Sequence, residues 1–280
     1  MKRLLIPLLL LAFLSACERV SPDPRDDDRF VVEGWIDNGG CPVVMLTSPA
    51  PAVKQENAIE DLGRYLIRGA EVLVSDDLGN EVRLQLQHDS RYLPPYIYTT
   101  DRMRGIPGHR YRLEVRYLNR TATAETLIPE PVELEKLEVS AVNESDTLRG
   151  LWAYFPQPPS QDVCYRFFLQ VEGKDDCFLP AMVSGVEKDG ETTGIPLMRG
   201  NNLFNKNLKH PLWFKPGEVV HVKFCTVERP VWAFWKSYDE LNALGKNPFF
   251  PINGQINSNV DRAYGYWAGY GATYRTVTIE

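Results

Sequence analysis

From Tyr111 to Tyr117 every second residue is large and apolar, namely Tyr111, Leu113, Val115 and Tyr117, and the residues between them are Arg112, Glu114 and Arg116. A period of two fits a strand with one dry and one wet face, because successive strand side chains point to opposite faces. Val82, Leu84 and Leu86 alternate with Arg83, Gln85 and Gln87 in the same way. Around these runs lie 30–36 (FVVEGWI), 42–47 (PVVMLT), 71–75 (EVLVS) and 121–128 (TATAETLI). They are set apart by 37–40 (DNGG), 76–80 (DDLGN) and 106–108 (IPG), clusters that suit the positive φ values of tight turns. About seven strands in 100 residues predict a small β-sandwich over residues 30–129, interrupted at 50–68 by a short helix or long loop.

Pro129-Glu130-Pro131 predicts the end of that unit, because two prolines in three residues cannot continue a sheet ladder. A second strand series follows at 132–142, 148–155, 162–171 and 218–227. The run DVCYRFFLQV places Val163, Tyr165, Phe167, Leu169 and Val171 on one face. Residues 172–216 are less regular and predict a loop-rich insertion. A helix is predicted over 230–244: Pro230 suits the first helical position, Val231, Trp232, Trp235, Tyr238, Leu241, Asn242 and Leu244 fall mainly on one face at helical spacing, and Gly245 and Pro248 supply the stop. Residues 263–279 (AYGYWAGYGATYRTVTI) predict two strands, bent or separated at Gly269-Tyr270-Gly271. The expected fold class is mainly β, with two β-sandwich-like domains at 30–129 and 130–280, the second carrying one packed helix.

The first 17 residues predict an address. Met1-Lys2-Arg3 precedes an apolar stretch, 4–14, that is too short to cross a hydrocarbon core of roughly 30 Å as a helix. Leu14-Ser15-Ala16-Cys17 reads as a lipobox, which predicts cleavage before Cys17 and its acylation, palmitate included, as the membrane anchor. Residues 18–29 (ERVSPDPRDDDR) are rich in proline and charge and predict a flexible tether. Asp26-Asp27-Asp28 tilts the expectation toward display outside the cell rather than toward the periplasm. Without residues 1–17 the charge is 29 minus 37, or −8, which weighs against nucleic acid as a partner. No other apolar run approaches 18 residues.

Chemistry is sought in four cysteines, the familiar motifs and the aromatic residues. Cys41, Cys164, Cys177 and Cys225 remain once Cys17 is acylated, and one disulfide within 164–225 is expected, with Cys164 and Cys177 the closest pair in sequence. They form no CxxC pair and no histidine adjoins them, so neither a metal nor another cofactor is expected. The sequence has no HExxH, phosphate loop, GxGxxG or EF-hand loop, and Val183-Ser184-Gly185 lacks the first glycine of a nucleophile elbow. No catalytic residue is assigned. Residues 204–274 hold 15 aromatic side chains in 71, about twice the chain average, and exposed rings bury much area with few rotors on binding. Trp213, Phe214, Phe249 and Phe250 are therefore expected to form an exposed binding patch for a sugar or a protein, and Trp232, Trp235 and Tyr264 to lie inside.

The lipobox, Val31-Val32-Glu33-Gly34-Trp35-Ile36, Pro42-Val43-Val44-Met45-Leu46-Thr47, Gly69-Ala70-Glu71-Val72 before Asp76 to Gly79, the boundary at 126–131, Asn247-Pro248-Phe249 and Ala263-Tyr264-Gly265-Tyr266-Trp267 together resemble the DUF4249 family, lipoproteins of the Bacteroidota cell envelope. The resemblance implies a binding or accessory role beside a TonB-dependent outer-membrane receptor, and it brings no catalytic residues. A structural or adhesive surface module and an envelope hydrolase are the competing readings. The polar stretch 199–210 and the extra cysteines are departures from the family pattern.

Overall fold

Alternating residues become strands as the periodicity demands, and the strands pair over distances the sequence does not announce. The computed structural model describes residues 29–48, 63–92, 94–142, 147–156, 163–181, 193–199, 212–244 and 256–280. These form β1 (Val31–Asp37), β2 (Val43–Thr47), β3 (Glu71–Asp76), β4 (Glu81–Arg83), β5 (Gln85–His88), β6 (Tyr96–Thr99), β7 (Arg110–Tyr117) and β8 (Arg120–Leu127). Then come β9 (Lys136–Ala141), β10 (Arg149–Phe155), β11 (Val163–Val171), β12 (Leu179–Pro180), β13 (Thr193–Leu197), β14 (Val219–Glu228), α1 (Arg229–Leu244) and β15 (Tyr264–Thr278). The fold is mainly β and sandwich-like, and the helix stands where its pattern predicts it.

An eight-stranded sheet, β12-β11-β14-β15-β1-β2-β6-β5, runs through the whole molecule. One face of it packs on the four-stranded sheet β4-β3-β7-β8 at the N-terminal half and on β13-β10-β9 at the other. Val32, Ile36, Val44 and Leu46 meet Val72, Val74, Leu113 and Val115 in the first core. Phe167 and Phe224 meet Leu151, Phe155 and Ile195 in the second. On the opposite face α1 lays Val231, Phe234 and Trp235 against Phe168, Cys225, Tyr266 and Tyr270.

Two elements depart from the expected pattern. The run 81–87 is not one strand: β4 pairs with β3, then Leu84, 3% exposed, donates its N–H to Val72 O, and β5 continues in the other sheet beside β6. The C-terminal segment is one strand of 15 residues rather than two. Its first half pairs in parallel with β1, from Val31↔Tyr264 to Asp37↔Tyr270, and its second half pairs antiparallel with β14. Gly269 and Gly271 do not turn the chain; they let it lie against another backbone. A Cβ at Gly269 would stand 2.2 Å from Leu127 O, and one at Gly271 2.2 Å from Pro129 O. Trp267, fully buried, donates its indole N–H to Tyr111 O at 3.0 Å inside the first core, so the last strand completes the sandwich that the first strand begins. The sheet thus crosses the proline boundary at 129–131.

Candidate functional site

The outer face of the long sheet carries the site. Alternation in β1 sends Val32 and Ile36 into the first core and leaves Trp35 and Asp37 on the other side. The registers Asp37↔Tyr270, Lys223↔Tyr274 and Phe168↔Lys223 put all these side chains on that same face, since directly paired residues share a face.

Lys223 and Asp37 form an ion pair there, with side chains only 8% and 18% exposed. The Lys223 ammonium donates to Asp37 Oδ1 at 2.8 Å and Oδ2 at 2.6 Å, and the Tyr274 hydroxyl donates to Oδ2 at 3.2 Å. Its Nζ also lies 4.9 Å from the Tyr270 ring centroid and 5.4 Å from that of Phe168. Taking two charges out of water costs several kcal/mol per ion, and close geometry with added hydrogen bonds offsets it. A carboxylate offers about four lone-pair sites, and three are used among the described residues. Beside it Arg166 reaches Asp239 of α1, Nη1 to Oδ2 at 2.5 Å, under the Trp235 ring at 4.6 Å, and Trp235 donates its N–H to the Tyr270 hydroxyl.

Two turns from opposite ends of the strand order converge over the pair. Tyr92, after β5, sets its ring 5.8 Å from Trp35, and Phe178, before β12, sets its ring 5.9 Å from Tyr274. Burial raises the pKa of Tyr92, and the charges of Asp89, Cys177 and Asp37 act in the same direction. Burial likewise pushes up the Cys177 thiol, aided by Asp176 and Asp175, while Arg91 pulls it down. Arg91 is itself forked onto Asp89, Nη2 to Oδ2 at 2.6 Å. Trp35, Tyr92 and Phe178 are half-buried, and Tyr274 is 52% exposed. The result is a group of four rings, in two contacting pairs, beside a charged pair on the outer face of the sheet.

The expected aromatic patch is not assembled. Phe214 is fully buried, because its N–H and C=O bridge Arg149 at 2.8–3.0 Å and its ring falls into the second core; Trp213 beside it is half-buried. Phe249 and Phe250 lie outside the described residues, as does Cys17. Trp235 is buried, and Trp232 and Tyr264 are half-buried. The expected disulfide is absent among the described residues: Cys41, Cys164, Cys177 and Cys225 are all thiols. Cys164 pairs with Val227 and Arg166 with Cys225, so Cys164 and Cys225 are diagonal neighbours about 7–8 Å apart, beyond the reach of a bridge. Cys177 has left the strand for the turn near Arg91. No group of three metal-ligating side chains converges among the described residues, and no helix there is long and apolar enough to cross a membrane.

The residues of this group carry one signal that the chain itself displays. In VVEGWID the residues alternating with Val32, Gly34 and Ile36 are Val31, Glu33, Trp35 and Asp37, an outer face with an indole between two carboxylates.

No curated protein matches the chain. Similar solved structures include a two fibronectin type-III domain segment from chicken tenascin, 14% identical, covering 72% of this chain and 92% of that one with a TM-score of 0.22. A chain of a cytokine receptor complex is 9% identical, over 72% and 86%, with a TM-score of 0.21. Superpositions that loose add nothing to the architecture, which the strand registers already define. A family model described as a domain of unknown function (DUF4249) matches residues 18–276, and the chain belongs to that family.

Proposed function

We propose that this is a lipoprotein of the outer membrane, anchored through Cys17, that holds a ligand against the rings beside Asp37 and Lys223 as an accessory of a TonB-dependent uptake receptor. The observation that carries the reading is the grouping of four rings, Trp35, Tyr92, Phe178 and Tyr274, beside the Asp37 carboxylate on one sheet face. Ring faces cover the apolar faces of a sugar or an aromatic side chain, and the carboxylate accepts from its hydroxyl or N–H. A nucleophilic cysteine needs a lowered pKa, and burial raises those of Cys177 and Cys225, which weighs against thiolate chemistry at either. A structural module is favoured by one feature only, the continuous β15 that ties both sandwiches together.

A pull-down from solubilised outer membranes tests the proposal. The wild-type chain should retain a barrel receptor identified by mass spectrometry, and Trp35→Ala or Tyr274→Ala should weaken retention by more than about 1 kcal/mol while the fold persists. Retention unchanged in both variants assigns the rings to packing and leaves the structural module. Anchoring is tested separately: Cys17→Ala should leave the membrane fraction and take up no labelled palmitate, and a variant that survives a carbonate wash in the membrane refutes the lipobox.

A further inference from the structure

The pairing of β15 with β1 ends at Asp37↔Tyr270, and β15 runs on to Thr278. On the β1 side its even-numbered residues carry the bonds: Tyr264 donates its N–H to Phe30 O, and Tyr270 O accepts from Asn38 N at 3.0 Å. Ala272 donates to the Asn38 side-chain oxygen, and there the cover stops, because Gly39 already turns away to donate to Gly105 O. Odd-numbered residues face β14, as Ile279 does in donating to Glu218 O. Strand alternation therefore turns the N–H and C=O of Tyr274, Thr276 and Thr278 away from β14, onto an edge where they have no partner among the described residues.

That edge is open. Tyr274, Arg275, Thr276 and Thr278 are exposed. Residues 129–133 run beneath the strand and not beside it: Pro129 O lies against Gly271, Val132 O accepts from the Thr273 hydroxyl at 3.0 Å, and Glu133 meets Arg275 at 3.4 Å. Unpaired edges invite association, and proteins blunt them with short strands, proline or charge. Here β4 has three residues and β5 four, β12 has two and ends in Pro180, β13 holds Pro196, β9 carries Lys136 and Glu138, and β8 is bridged by Asp261. Tyr274-Arg275-Thr276-Val277-Thr278 has neither proline nor glycine, and its one charge is matched by Glu133.

We propose that this edge is the interface of a two-fold dimer, in which β15 pairs antiparallel with β15 of a second copy, centred on Thr276. The edge is complementary to itself. Thr276 then faces its own counterpart and Tyr274 faces Thr278 of the second copy, so outward peptide groups meet only outward ones, each pair exchanging two N–H to C=O bonds. Arg275 falls opposite Val277, and no like charges face each other, whereas centring the pair on Arg275 would oppose two guanidinium groups. Paired residues share a face, so the ring groups of both copies lie on one side of a continuous sheet, with Tyr274 roughly 14 Å from its counterpart. On the binding reading above, on which this consequence rests, the dimer offers two ring groups to one receptor.

The test is analytical ultracentrifugation of residues 18–280, so that no acyl chain drives association, over a dilution series with hydrogen exchange at both ends. The chain should sediment as a dimer that dissociates on dilution. Amides of Tyr274, Thr276 and Thr278 should exchange about ten-fold more slowly in the dimer, while those of Arg275 and Val277, which face β14, stay protected at every concentration. Thr276→Pro removes an outward N–H and no bond to β14, so it should be monomeric yet melt close to Thr276→Ala, which keeps the N–H and the dimer. A chain that is monomeric at every concentration, a Thr276→Pro variant that still dimerises, or edge amides indifferent to dilution overturns the proposal. Trp35→Ala in the receptor pull-down separates the two readings: lost retention beside a monomeric wild type refutes the dimer alone, and full retention by a dimeric variant refutes the ring site alone.

Discussion

Asp37 and Lys223 are 186 residues apart in sequence and share two hydrogen bonds beside the four rings of the site. Breaking a buried pair from one side leaves the other charge uncompensated, so Lys223→Met should destabilise by about 3–5 kcal/mol in urea unfolding. Adding Asp37→Asn should recover most of that loss, and a double variant as weak as the single one would mean that packing of the lysine stem, not charge, matters there. Tyrosines supply a second prediction. Burial raises the phenol of Tyr165 to about 12 and holds those of Tyr266 and Tyr270 well above the roughly 10 of an unfolded chain. A raised phenol keeps its proton when folded, so stability is complete below about pH 10 and falls as pH climbs toward 12. Unfolding midpoints should drop across that window, with tyrosinate absorbance appearing only as the chain unfolds; early ionisation of the native protein would contradict it. At this scale the sequence misleads where composition stands in for contact. Phe214 sits in an aromatic-rich, proline-flanked stretch and is buried, whereas Trp35, in a strand that reads as ordinary, stands half-buried on the outer face against Tyr92.

Elements were legible where their signals are local. The helix carries its own period with Pro230 in the first turn, and β7 its alternation. The break at Leu84 and the unbroken β15 were not, because each is decided by a distant backbone: Val72 for the first, the 127–129 segment for the second. Glycine is ambiguous in sequence, since a turn and a close approach both require it. Structure resolves the ambiguity at Gly269, whose N–H also donates to the Thr126 hydroxyl oxygen at 2.8 Å. Gly269→Ala should cost about 1–3 kcal/mol by forcing β15 away from Leu127 O, with the loss read in the urea midpoint. A turn at this position would instead tolerate alanine wherever φ is negative.

The whole molecule is joined by its last strand. Residues 30–129 hold the strands of the first sandwich except β15, and with it they lack Trp267, which is wholly buried among them. That fragment should show neither a cooperative melt nor protected amides, and the full chain should unfold in one transition; a fragment that melts sharply would show that the first core is sufficient without Trp267. The two strand series and their proline junction were visible in sequence because they are local, while the strand that serves both was hidden by its 233-residue separation from its parallel partner, Val31 to Tyr264. That separation has a temporal side. β1 leaves a ribosome well before β15, so the N-terminal sandwich stays open until β15 has been made. Pairings of such high contact order form slowly. On the lipoprotein reading proposed above, that delay lets the chain be threaded across a membrane before its earliest strands can close into a body too wide for the pore.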